Sequence, residues 1–150
     1  MKTHTASLCL AVLCGCVWAF CPNLSARESD DRIALIRALK IDTGVITQVE
    51  LEPLSASPAG AISRLPRTLV KMVLSPAKGS TINVEIWLPD TAKWNGRFMG
   101  FGNGGAAGKI SSGTLDGPSA NGYAAATTEM GTAPNPDSGI GNREVWKDFG

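Results

Sequence analysis

After Cys21 this sequence has no cysteine, and after His4 it has no histidine. All four cysteines (Cys9, Cys14, Cys16, Cys21) sit near the N-terminus, so residues 27–150 can form neither disulfides nor thiolate metal sites of their own. The missing histidine removes the commonest general base. The turn G-x-S-x-G, which presents a nucleophilic serine in many hydrolases, is also absent. Charge of one sign is lacking too: setting Lys2 aside, the 14 basic residues fall level with the 13 acidic ones. A neutral chain without a basic run gives no support for nucleic acid or an electrostatic membrane patch, and neither is expected as a partner. The longest apolar run, Leu8 to Phe20, is about 13 residues against the roughly 20 that a membrane span needs, so no transmembrane segment is expected.

That run has another reading. Lys2 and His4 make a short polar start, and Leu24-Ser25-Ala26 ends in the small-x-small pattern that signal peptidase reads. The composition then changes abruptly to Arg27-Glu28-Ser29-Asp30-Asp31-Arg32. Residues 1–26 are therefore expected to be a secretory signal, placing the rest outside the cell or in a periplasm. Leu13-Cys14-Gly15-Cys16 resembles a lipoprotein box with Cys16 as the lipidated residue, the less favoured route. Residues 27–150 suffice for one small domain but are short for a secreted α/β enzyme. Val145 to Gly150 carries no closing helix or polar tail, so a truncated domain is expected.

Hydrophobic periodicity lays out the elements. Ser29 is expected to cap a helix with Asp30 and Asp31 in its first turn and Ile33, Leu35, Ile36 and Leu39 on one face. Val45, Thr47, Val49 and Leu51 alternate as in a strand, and proline and glycine make Glu52 to Pro66 a loop. Leu69–Leu74 and Ile82–Leu88 read as an antiparallel hairpin about the turn 75–80. Ile82, Val84, Ile86 and Leu88 would form its buried face, with Asn83, Glu85 and Trp87 opposite. Pro89 ends that run, and Trp94-Asn95-Gly96 turns the chain into a strand from Arg97 to Phe101. A short helix ending at Asn121-Gly122 and a small-residue strand, Tyr123 to Thr128, follow. Neither a repeat nor an interdomain linker is visible. Helix, antiparallel strands, then strand–loop–helix–strand suits the opening part of an α/β sheet with antiparallel edge strands.

What is abundant is glycine. Trp94 to Gly105 holds five glycines in twelve residues, with backbone N–H groups unscreened by side chains. A strand ending in such a loop can aim those groups at the oxygen that becomes negative in acyl transfer. No G-K-[ST] follows, which excludes a phosphate loop, and G-x-G-x-x-G with its acidic partner is not matched. On pattern alone, an oxyanion loop and a structural glycine turn both remain open.

Ile86-Trp87-Leu88-Pro89, Trp94-Asn95-Gly96-Arg97-Phe98 and Gly102-Asn103-Gly104-Gly105 together resemble the tannase/feruloyl esterase family, which includes terephthalate-ester hydrolases. Asn121-Gly122-Tyr123-Ala124 and Thr127 to Gly131 look like its next strand and turn, and Asp148-Phe149-Gly150 like the approach to its nucleophile helix. The resemblance implies a secreted serine carboxylic-ester hydrolase acting on a small aromatic-acid ester. It implies an incomplete α/β-hydrolase fold, of which residues 27–150 are the N-terminal part. By the same resemblance the oxyanion donor is Gly104 or Gly105, while serine, acid and histidine lie outside the chain, which alone should be inactive. No cofactor is expected on this segment; the family's lid domain, absent here, often carries calcium. Family members also commonly join the first helix to the strand before the W-L-P run by a disulfide, whose positions fall near Ile33 and Leu69. The aromatic that often follows G-N-G-G is Ala106 here, and the family's S-T-D-T-G-H turn is Thr127 to Thr132.

Other candidates carry less. Glu129 and Asp137 could pair as acid and base but read better as solvated loop carboxylates. Ser111, Ser112 and Ser119 lack elbow spacing, and Asn135, Asp116 and Asp137 lack calcium-loop spacing. Trp87 reads as covered by a second layer, and Trp94 as the anchor of its turn. The alternative to an esterase segment is a non-catalytic secreted remnant or binding protein.

Overall fold

The computed structural model describes residues 24–53, 55–56, 63–103, 108–131, 140–141 and 143. Helix α1 (Leu24–Ala38) is followed by β1 (Gly44–Glu52), the short β2 (Ser55–Ala56) and β3 (Ser63–Arg64), then β4 (Arg67–Leu74) and β5 (Ile82–Pro89). After a 3-10 turn (Thr91–Lys93) come β6 (Phe98–Phe101), a second 3-10 turn (Ser112–Leu115), α2 (Asp116–Ala120) and β7 (Ala124–Thr128). Five strands form one sheet in the order β1-β4-β5-β7-β6. β1, β4, β5 and β7 pair antiparallel, and β6 runs parallel to β7.

The β4–β5 hairpin forms as expected, with Leu74 opposite Ile82 and Arg67 opposite Pro89. Its buried side is the opposite of the expected one. Glu85, Trp87 and Pro89 are buried, whereas Ile82, Val84, Ile86 and Leu88 are only partly covered. Leu69, Trp87 and Ala125 stand abreast on three strands, and Leu115 from the segment between β6 and β7 closes over them, with Phe101 alongside. The polar residues of this face are paired within it. The Trp87 indole N–H donates to Glu85 Oε1 at 2.8 Å, and the Arg67 guanidinium lies 3.7 Å from the Trp87 ring centre. Arg67 also forms an ion pair with Glu52. Trp87, 2% exposed, is thus covered by a second layer as expected.

Helix α1 lies on the other face, over β1. It starts at Leu24, so Ser29 is inside the helix rather than capping it. Ser29, Arg32, Ile33 and Ile36 are its partly covered residues, while Leu35 and Leu39 are 70% and 62% exposed. The covered stripe follows i, i+3, i+4, i+7 from Ser29, which leaves both leucines outside it. Arg32 fastens the helix: its guanidinium donates to Thr68 Oγ1 at 2.8 Å and to the Pro89 carbonyl at 3.0 Å. Helix and strand therefore meet at Arg32 and Thr68, while Leu69 faces the other side of the sheet. Arg37 adds a bond to the Val49 carbonyl at 2.8 Å.

In β1 the expected alternation is broken by a bulge. Ile46 pairs with Met72 and Gln48 with Lys71, leaving Thr47 extra. Val49 is consequently buried (2% exposed) whereas Val45 is 65% and Leu51 48% exposed. The expected loop from Glu52 to Pro66 contains the small β2–β3 ladder. Among the described residues no helix is long and apolar enough to cross a membrane.

Candidate active site

Parallel strands cannot be joined by a tight turn, so the chain between β6 and β7 must cross over a sheet face. The described part of this connection, residues 108–123, places the second 3-10 turn and α2 against the core face. Because Phe101 pairs with Thr127, the strands end together. The chain leaving β6 at Gly102 and the turn leaving β7 at Glu129 therefore share one end of the sheet. In open α/β sheets this carboxyl end is where ligands bind.

Gly104 and Gly105 lie outside the described residues, but the two residues that lead into them do not. Asn103 donates its side-chain N–H to the Thr128 carbonyl at 2.7 Å, and its backbone N–H points to Met130 Sδ at 3.2 Å. The Met130 N–H in turn donates to Thr128 Oγ1 at 3.0 Å. Glu129 is 9% exposed, and its Oε1 accepts the Asn83 backbone N–H at 2.9 Å and the Asn83 side-chain amide, which ties this turn to the start of β5. Its carboxylate is thus engaged in structure, while Asp137, its imagined partner, lies outside the described residues. On the face that carries α1, beside this end, Leu74, Ile82, Val84, Gly100 and Ala126 line an open apolar groove of about 300 Å³.

The opposite end of the parallel pair is held by a turn-on-turn contact. Asn95 Oδ1 accepts the Arg97 N–H at 2.9 Å, and the Trp94 indole donates to the Arg97 carbonyl at 3.1 Å, so Trp94 anchors its turn as expected. That turn docks on Asn121-Gly122: the Asn95 N–H bonds to the Gly122 carbonyl at 2.9 Å and the Asn95 side chain to the Asn121 carbonyl at 2.8 Å. The Ala124 N–H then meets the Arg97 carbonyl at 3.0 Å. Gly122 is required here, with φ +77° and the Lys93 carbonyl 2.3 Å from where a Cβ would stand. Arg97 also reaches the Tyr123 hydroxyl at 3.4 Å, which raises the arginine pKa further above its ordinary value. W-N-G-R and N-G-Y-A are therefore two halves of one structural clasp at the end remote from the glycine loop.

Of the serines weighed from the sequence, Ser119 is buried in α2 and Ser111 and Ser112 enter the second 3-10 turn, while the sole histidine, His4, lies outside the described residues. Among the described residues no group of three His, Cys, Asp or Glu side chains could hold a metal ion.

Comparison with known proteins decides the relationship. No family model matches the chain. A probable feruloyl esterase of Arthroderma benhamiae is 33% identical over 147 residues, covering 89% of this chain and 26% of that protein. The chain is a homologue of feruloyl esterases. Probable feruloyl esterase B-2 of Aspergillus flavus is 36% identical over 81 residues, 53% of this chain and 15% of that protein. The crystal structure of feruloyl esterase B from Aspergillus oryzae shares the fold with a TM-score of 0.67 at 22% identity, over 81% of this chain and 25% of that one. The described sheet is thus part of an esterase α/β fold, and the chain spans about a quarter of the length of the first relative.

Sequence reasoning reached the family but missed both the Asn103–Met130 contact and the pairing of the two N-G turns. The recurrence of Asn-Gly at 95–96 and 121–122 was a usable signal for the second. Nothing local in the sequence marks Met130.

Proposed function

We propose that residues 27–150 are the N-terminal part of a secreted carboxylic-ester hydrolase of the feruloyl esterase and tannase type, with residues 1–26 its export signal. In the complete enzyme a serine from another part of the protein attacks the carbonyl carbon of an aromatic-acid ester. A histidine, also from elsewhere, takes the serine proton. The carbonyl π electrons move onto oxygen, and the backbone N–H of Gly104 or Gly105 donates to that oxyanion. The intermediate collapses to expel the alcohol, the histidine returns the proton to it, and water then releases the acid. A preorganised donor of this kind is typically worth about 3–4 kcal/mol of barrier. Lid residues that choose the acid and alcohol, and any calcium they bind, belong to the part outside this chain.

The supporting observation is positional. A glycine loop leaves a parallel strand at the carboxyl end of the sheet, in a chain homologous to feruloyl esterases. The test has two arms. The chain alone should hydrolyse p-nitrophenyl and feruloyl esters no faster than buffer, and an acyl-enzyme burst from it would refute the division of labour. Grafted in place of the matching quarter of the A. oryzae enzyme, residues 27–150 should support ester hydrolysis. A folded chimera without activity would sink the assignment.

A further inference from the structure

Met130 is the one non-glycine residue with positive φ among the described residues, at +57°. A side chain in that region costs roughly 1 kcal/mol or more relative to glycine. Glycine follows directly, Gly131 at φ +69°, so the turn already holds a residue suited to this conformation. A turn needing only to reverse the chain would be served by glycine at both positions. Keeping methionine at 130 places a sulfur where the Asn103 N–H can meet it at 3.2 Å. Gly102 makes the approach possible, since a Cβ there would stand 3.1 Å from that sulfur. The Asn103 carboxamide reaches past it to the Thr128 carbonyl.

We propose that Asn103 and Met130 are the positioning residues of the glycine loop, clamping its first two residues to the end of β7 so that the amides at 104 and 105 start from a fixed point. This role rests on the esterase reading of those amides, although the clamp itself is a property of residues 102, 103, 128 and 130. Neither side chain touches the reacting atoms. Their effect is on where the donors stand, and so on kcat rather than on substrate affinity.

The clamp is tested on the 150-residue chain labelled with ¹⁵N, reading amide exchange at 103–105 and using the Trp87 indole resonance to report an intact core. In the parent chain the Asn103 N–H should exchange at least tenfold more slowly than the exposed Gly113 N–H. Met130→Leu, which keeps size but removes the sulfur acceptor, should erase that protection. Met130→Gly should erase it too without lowering the melting temperature, because relief of backbone strain offsets the lost contact. A merely structural Met130 predicts the reverse, a lower melting temperature with loop exchange unchanged. Asn103→Ala should speed exchange at 104 and 105 by about tenfold and leave β5 amides unaltered. Unchanged exchange in all three variants, or a parent Asn103 N–H as fast as that of Gly113, overturns the clamp. In the grafted enzyme Asn103→Ala should lower kcat about tenfold or more with KM within twofold, and a raised KM at constant kcat overturns the positioning role. A protected loop in a folded but inactive parent chimera instead removes the esterase reading and leaves the clamp standing.

Discussion

Gly122→Ala should be the most damaging single methyl addition at the clasp between the two N-G turns. Two effects add. Alanine at φ +77° costs about 1 kcal/mol for the left-handed backbone. Its Cβ would also lie 2.3 Å from the Lys93 carbonyl oxygen, where ordinary contact begins at 3.4 Å, so one turn must retreat by roughly 1 Å. That movement breaks the Asn95 N–H bond to the Gly122 carbonyl and the Asn95 side-chain bond to the Asn121 carbonyl, at about 1 kcal/mol each. The sum is about 3 kcal/mol, or a fall of about 10 °C in Tm for a domain of this size. Gly96→Ala is the control, because Gly96 has nearly the same φ, +79°, with nothing within 4 Å of its would-be Cβ. It should cost about 1 kcal/mol. Thermal melts followed by tryptophan fluorescence compare the two variants. If Gly122→Ala melts within about 3 °C of Gly96→Ala, the turns are not docked as described and the collision reasoning is refuted.

Leu115→Ala empties the centre of the core cluster, where Leu115 is 0% exposed against Leu69, Trp87 and Ala125; it should destabilise by about 3 kcal/mol in urea melts. A loss under about 1 kcal/mol would mean that the crossover segment does not seal this face. Arg32→Met keeps the aliphatic stem but removes the bonds to Thr68 and Pro89, so amides of α1 should exchange faster while those of β5 and β7 do not. Equal protection of α1 in the variant would show that the helix is held by packing alone.

How much of this was legible in the sequence depends on the range of the interaction. Period-two alternation in Ile82 to Leu88, the turn at 75–80 and the helix stop at Asn121-Gly122 are local, and the hairpin and the helix end were both legible from them. Motif resemblance reached the family through W-N-G-R-F and G-N-G-G, although the first of these proved to be scaffolding.

The local chain thus determines that strands and hairpin form, because turn chemistry and side-chain alternation act over a few residues. Tertiary structure alone decided which side of β5 is buried. An aliphatic stripe reveals that a face seeks cover, yet the layer that arrives, here Leu115, comes from elsewhere and settles on Leu69, Trp87 and Ala125. The same holds for the bulge at Thr47 and for Asn103 against Met130. Each is set by a partner many residues away, which no window along the chain contains.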